Sequence, residues 1–384
     1  MVNNEKTHPV WGDFTLLVDG KRAFPEIIRC IEAAKRSVEI NMFIWRDDAI
    51  GGRMAEAVLK AADNGARVYI SVDRYGYVLE KAEEAKKSFF HRDPTFSERV
   101  KIKYLELCYK NGGSTDKKEK NQALLERMLT HPNITVSRHV FKADHSKFYV
   151  IDDEILFLGG INIEDKENGQ DALGRVYGDY MAKLEGASYV ADFREKMAKG
   201  AEKDTEYRFG ANMKWGDARR FEMEERYLEM IRTAKERLHI TMAYFSPLPQ
   251  FVTALCDAAA RGVAVTVLLP SAANFQHDIN MKTVTRLLKD SGGAIRVYLS
   301  PRMLHTKLMM NENTISFGST NITKKAFGQL SELNLFVPNG DFAFAEALRQ
   351  SVAADLAEAT EVDSQSIKTL RYRRTVAWLE GLLV

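Results

Sequence analysis

Apolar spacing places Ile27, Ile31, Ala34 and Val38 on one stripe of a helix that runs into a β-branched strand. Tyr227, Ile231, Ala234 and Leu238 repeat that stripe, and AKRSVEINMFIW (34–45) aligns with AKERLHITMAYF (234–245) at an offset of 200 residues. Next, EAVLKAADNGARVYISVD (56–73) parallels TALCDAAARGVAVTVLLP (253–270). Each is a helix, a glycine stop (Gly65, Gly262) and a strand suited to burial between layers. Helices alternating with strands predict an α/β protein of two tandem lobes, each a mixed, mostly parallel sheet flanked by helices. The duplication suggests a pseudo-twofold axis between them. The expected lobes are residues 1–203 and 204–384, joined by the polar stretch around 200–215.

The copies differ in length. From Gly65 to His145 is 80 residues, but from Gly262 to His305 is 43, so the first lobe carries an insertion of about 37 residues within 76–122. Its KKSFFHRD, RVKIK and DKKEK blocks read first as a solvated helical excursion. The sharper alternative is a cover over a substrate cleft.

A second repeat carries the chemistry. HSKFYVIDDEILFLGGIN (145–162) aligns with HTKLMMNENTISFGSTN (305–321). In each, His and Lys stand two residues apart, an apolar strand and an acidic turn follow, and Asn comes two residues after a Gly-Gly or Gly-Ser pair. Side chains alternate along a strand, so His145 and Lys147 share one face, as do His305 and Lys307. The glycine pairs read as turns that also clear room for Asn162 and Asn321. Lysine and asparagine donors suit the non-bridging oxygens of phosphate. One neutral imidazole can attack phosphorus while a second, protonated, gives a proton to the leaving alkoxide. That is phosphodiester exchange through a phosphohistidine, with no cofactor or metal required. A lone HxK is a weak signal; two inside a wider repeat are a strong one.

On these residues the chain resembles the phospholipase D superfamily and its double HxKxxxxD motif. The motif stands here at His145, Lys147, Asp152 and Asn162, then at His305, Lys307 and Asn321. The blocks IEAAKRSVEINMFIWRDD, LKAADNGARVYISVD, AYFSPLPQF and LHTKLMM resemble the bacterial cardiolipin synthase branch, which exchanges phosphatidyl groups between phosphatidylglycerol and a second alcohol. The resemblance implies His145 as nucleophile and His305 as general acid, although the near-symmetry of the copies leaves the order open. It also implies a supporting carboxylate for each histidine, with Asp179 and Glu332 as the candidates. Glu312 replaces the usual Asp of the second copy, and its turn is one residue shorter. By parity Asp152 and Glu312 point away from the His/Lys face, in a supporting role that braces the hairpins.

Composition adds limits. A net charge of +2 gives no basic footprint for nucleic acid. Cys30, Cys108 and Cys256 form no CxxC pair, in keeping with a reducing cytoplasm. The histidines outside the motifs, His8, His91, His131, His139, His239 and His277, show no metal-ligand spacing, and His277 reads as an exposed loop residue. No secretory signal or membrane-spanning run is evident. The tail SIKTLRYRRTVAWLEGLLV reads equally as an interfacial anchor or as a helix docked on its own lobe. The resemblance implies as partners a phospholipid and the inner membrane face, reached from the cytoplasm. The alternative reaction is hydrolysis with water as acceptor, of a phospholipid in the first place and of nucleic acid in the second.

Overall fold

The computed structural model describes residues 9–83, 88–90, 93–109, 120–138, 140–170, 174, 176–214, 219–363 and 365–383. His8, His91 and His139 lie outside them.

The first half contributes strands β1 (Phe14–Val18), β2 (Ser37–Met42), β3 (Arg67–Val72), β4 (Ile134–Ser137), β5 (Phe148–Ile151), β6 (Ile155–Gly159), β7 (Tyr177–Gly178) and β8 (Tyr180–Glu185). Its helices are α1 (Asp19–Ala33), α2 (Ala49–Asp63), α3 (Arg74–Ala82), α4 (Phe96–Glu106), α5 (Gln122–Thr130) and α6 (Ala187–Lys199). The second half contributes β9 (Arg208–Asn212), β10 (Arg237–Met242), β11 (Phe245–Ser246), β12 (Ala264–Pro270), β13 (Arg296–Ser300), β14 (Met303–Leu304), β15 (Lys307–Asn311), β16 (Thr314–Gly318), β17 (Ile322–Thr323), β18 (Glu332–Pro338) and β19 (Thr360–Val362). Its helices are α7 (Met223–Thr233), α8 (Pro249–Ala260), α9 (His277–Asp290), α10 (Lys324–Gly328), α11 (Ala343–Glu358) and α12 (Arg374–Leu383).

Two large sheets result, ordered β1-β8-β6-β5-β2-β3-β4 and β19-β13-β12-β10-β15-β16-β18-β9. Both are mixed, but the expectation of mostly parallel pairing is corrected. Only β2-β3-β4 and β10-β12-β13 run parallel within them, and their other pairings are antiparallel. The βαβ crossovers end where each motif begins, because its short acidic turn closes a hairpin (β5-β6, β15-β16), and a hairpin is antiparallel.

Three apolar clusters hold the layers together. One lies between the first sheet and α1, α2 and α5, and a second under α7, α8 and α9. The third joins the lobes: Val150, Leu156, Leu158 and Ala182 of the first sheet pack with Leu308, Phe317, Leu333 and Leu335 of the second. The strands that carry the motifs therefore meet across one shared core.

Asp152 and Glu312 stand at the far ends of their hairpins, apart from the His/Lys set they were grouped with. Asp152 accepts backbone N–H bonds from Lys35, Arg36 and Ser37 at 2.8, 2.7 and 2.8 Å. Glu312 does the same for Lys235, Glu236 and Arg237 at 2.8, 3.5 and 3.4 Å. Each carboxylate clamps the link between a helix and the strand beside its hairpin, and the longer glutamate reaches the same donors less closely. Asp152→Ala strands three donors, so we expect a stability loss of about 1–3 kcal/mol. Denaturant unfolding measures it, and activity per folded molecule should be nearly unchanged.

Candidate active site

The lobes exchange support at their junction. His145 donates its backbone N–H to the Ser331 carbonyl at 2.8 Å, and His305 donates to the Gly178 carbonyl at 2.7 Å. Short parallel pairings accompany both contacts, Asp144 with Ser331 and Leu304 with Gly178. The residue after each accepting carbonyl is a carboxylate. Glu332 therefore meets His145, with its oxygens 3.0 and 3.1 Å from Nδ1, and Asp179 meets His305 at 3.0 Å from Nδ1. Each carboxylate serves the histidine of the other lobe, and the two contacts match as a twofold relation would have them. Neither half has a complete pair alone.

The glycine pairs have a purpose that the sequence reading missed. A Cβ on Gly160 would lie 2.2 Å from an Asp179 oxygen, so this glycine clears room for the carboxylate, not for the asparagine. The corresponding residue of the second copy is Ser319, whose hydroxyl instead donates to Glu332.

With Nδ1 committed to a carboxylate, each imidazole has Nε2 left for chemistry. His145, Asn162, His305 and Asn321 line one cleft, and all four are buried. Lys147 and Lys307 are also buried, and each ammonium donates to the carbonyl of its own histidine, which aligns the lysine with the ring. All six residues of the double motif are thus drawn to the junction between the lobes.

Burial sets the electrostatics. It pushes Glu332 up to about 8 and Asp179 up to about 7. Both imidazoles lie well below their usual value, through burial and then the neighbouring Lys147 and Lys307. Lys147 falls to about 7, again through burial and the second lysine. In each imidazole–carboxylate pair both shifts favour the neutral form, so the partners share one proton. An anion in the cleft stabilises that proton on the ring and restores charge to the lysines.

Three features were not read from the sequence. Glu167 is buried, with an oxygen 3.3 Å from Nδ1 of His305, giving that histidine a second carboxylate neighbour. Arg46, Glu83, Glu164 and Lys166 form a buried ion network along one wall. The insertion supplies cleft residues, with Leu79, Glu83 and Tyr109 lining it and Tyr109 stacking on Phe275 at 4.9 Å. A purely solvated excursion is therefore corrected: its apolar face needed a partner from the second lobe, which sequence spacing does not reveal. His277 is likewise buried at the start of α9, not exposed on a loop.

Residues 27–172 and 227–356 match the family described as cardiolipin synthase, PLD-like domain. The chain belongs to this family. Cardiolipin synthase A of Pseudomonas aeruginosa is 26% identical over 372 residues, covering 93% of this chain and 69% of that protein. Cardiolipin synthase of Clostridium perfringens is 24% identical over 400 residues, covering 95% and 75%. Among solved structures, phosphatidylserine synthase from Haemophilus influenzae aligns with a TM-score of 0.69 at 12% identity, covering 97% of this chain and 92% of that one. At that identity the likeness speaks for the fold of this PLD-like protein and not for its substrate.

Proposed function

We propose that this PLD-like protein is a phosphatidyl transferase that forms cardiolipin from phosphatidylglycerol through a phosphohistidine. The carrying observation is the reciprocal pair of histidines, each held at Nδ1 by a carboxylate of the other lobe. His145 Nε2 attacks the phosphorus of the donor lipid, and the bond from phosphorus to the glycerol oxygen breaks. His305 gives its proton to that oxygen, and glycerol leaves. A hydroxyl of a second lipid then attacks phosphorus, its proton passes to His305, and the N–P bond breaks to free His145. Lys147, Lys307, Asn162 and Asn321 hold the non-bridging oxygens. The family match and the cardiolipin synthase relatives support phosphatidyl transfer as the reaction class. Incubation with phosphatidylglycerol vesicles, followed by lipid mass analysis, tests the proposal. Cardiolipin plus free glycerol is expected; phosphatidic acid alone would identify a hydrolase, and no turnover of any phospholipid would overturn the reading.

The protein would meet its substrate at a membrane surface on the cytoplasmic side. Among the described residues no helix is long and apolar enough to cross a membrane. Phe96, Val100 and Leu107 lie on one exposed stripe of α4 and its end, beside exposed Arg99, Lys101 and Lys103. The tail helix α12 docks on α9, where Glu380 accepts from the Ile279 N–H at 2.7 Å, and still exposes Trp378 and Leu382. Tyr104 of α4 reaches the Leu379 carbonyl at 3.4 Å, so α4 and α12 touch beside the cleft cover. Apolar and basic groups together suit an anionic interface. Phe96→Glu with Trp378→Glu should weaken co-sedimentation with phosphatidylglycerol-rich vesicles by about a hundredfold, from the loss of two exposed aromatic groups that the bilayer would cover. Unchanged sedimentation would exclude this surface.

A further inference from the structure

The motif repeat extends four residues past each asparagine. Asn162 and Asn321 are 159 positions apart, as are Lys166 and Lys325. Both lysines line the cleft, and each ammonium lies over a tyrosine ring, Lys166 above Tyr177 at 4.7 Å and Lys325 above Tyr75 at 4.4 Å from the ring centroid. The geometry is duplicated but the charge is not. Lys166 has Glu83 at 2.8 Å and Glu164 at 3.2 Å, and with Arg46 these four groups cancel. Lys325 has the Tyr75 hydroxyl, to which it donates, and is paired with no carboxylate among the described residues. A ring face and a phenol hold an ammonium in place without neutralising it.

Tyr75 is fixed in turn by Phe43 at 6.0 Å and Phe141 at 5.2 Å between ring centroids. It comes from α3 in the first lobe, whereas Lys325 comes from α10 in the second. The pair therefore exists only where the lobes meet. Burial lowers Lys325 to about 8, and an anion beside it would restore its charge.

We propose that Lys325, held by Tyr75, forms a second anion subsite, which takes a phosphate group other than the one being transferred. This rests on the phosphatidyl-transfer reading and gives it an acceptor preference. Transfer to a second phospholipid brings a second phosphodiester into the cleft, while transfer to water or a simple alcohol brings none. The uncompensated charge at the Lys325 end favours the first kind of acceptor.

The test measures phosphatidyl transfer from one donor to three acceptors: dihexanoyl phosphatidylglycerol, glycerol 3-phosphate and glycerol. In Lys325→Met, the preference for the anionic lipid over glycerol, as a ratio of kcat/KM, should fall about tenfold to a hundredfold, as for one charge-assisted contact. The loss should appear chiefly in KM, and Lys325→Arg should recover most of it. A parallel loss with glycerol 3-phosphate means that the phosphate alone is read; a loss confined to the lipid means that its acyl part is needed to seat the phosphate. Equal losses with all three acceptors would overturn the proposal, since Lys325 would then act on the transferred phosphate. If the wild type turns over no phospholipid, the proposed reaction fails, and calorimetric titration with inorganic phosphate decides the subsite. Two phosphates in the wild type and one in Lys325→Met support it; one in both overturns it.

Discussion

His145→Ala should lower phosphatidyl transfer by about 10⁴-fold or more, the scale for losing a covalent nucleophile. The alanine leaves Glu332 without its imidazole, and no other described side chain offers a ring nitrogen in the place that His145 occupies. His305→Ala should differ in kind. It removes the proton donor for glycerol, a group worth about 10²–10⁴-fold. A phosphodiester with a nitrophenolate leaving group needs no such proton. With that donor His305→Ala should load His145 at a rate close to the wild type, whereas His145→Ala should not load at all. Equal loss in both variants on the activated donor would mean that the roles are wrongly divided.

The second large effect concerns the exchanged carboxylates. Glu332→Gln and Asp179→Asn keep the shape of each partner but present the amide in either orientation, so the imidazole loses its fixed tautomer. A drop of about 10²–10⁴-fold in kcat is expected, by analogy with an orienting aspartate in a triad. The pH profile separates this from mere misfolding. Burial raises Glu332 to about 8 and Asp179 to about 7, so each carboxylate is ionised above that pH and protonated below it. Orientation by the carboxylate is then lost as the pH falls, giving kcat/KM of the wild type an acid limb near 7–8. Lys147, lowered to about 7, is charged below that pH and neutral above it, which gives the alkaline limb. Glu332→Gln should flatten its share of the acid limb and move the alkaline one to lower pH, because the Glu332 charge helps to hold the proton on Lys147. An unchanged profile at reduced rate would contradict the orienting role.

Much of the site was legible because duplication makes a short motif conspicuous. The six motif residues could be named from HxK spacing and the asparagines, while Asp179 and Glu332 came as candidates only through the family resemblance. The exchange could not, because nothing along the chain says that Glu332 faces His145 and not His305. That follows from Ser331 and Gly178, whose carbonyls pair with the opposite lobe. Strand direction was misjudged for a similar reason: alternating helices and strands announce parallel units, while the β5-β6 and β15-β16 hairpins are marked only by short acidic turns. The lysines after the asparagines were a signal left unused, since Lys166 and Lys325 keep the 159-residue offset. Their unequal neutralisation is tertiary, set by Glu83 on one side and Tyr75 on the other. Parity along the strands turns Asp152 and Glu312 away from the His/Lys face, and their clamp on the helix–strand link explains why a glutamate can stand in for an aspartate there.

The most direct test of the account is the site of the covalent intermediate. Wild type and His305→Ala are mixed briefly with the activated phosphodiester donor, quenched in alkali to preserve phosphohistidine, digested and sequenced by mass. The account predicts an adduct on His145 in both, accumulating in His305→Ala. An adduct on His305 alone in the wild type, or on neither histidine while product forms, would contradict it.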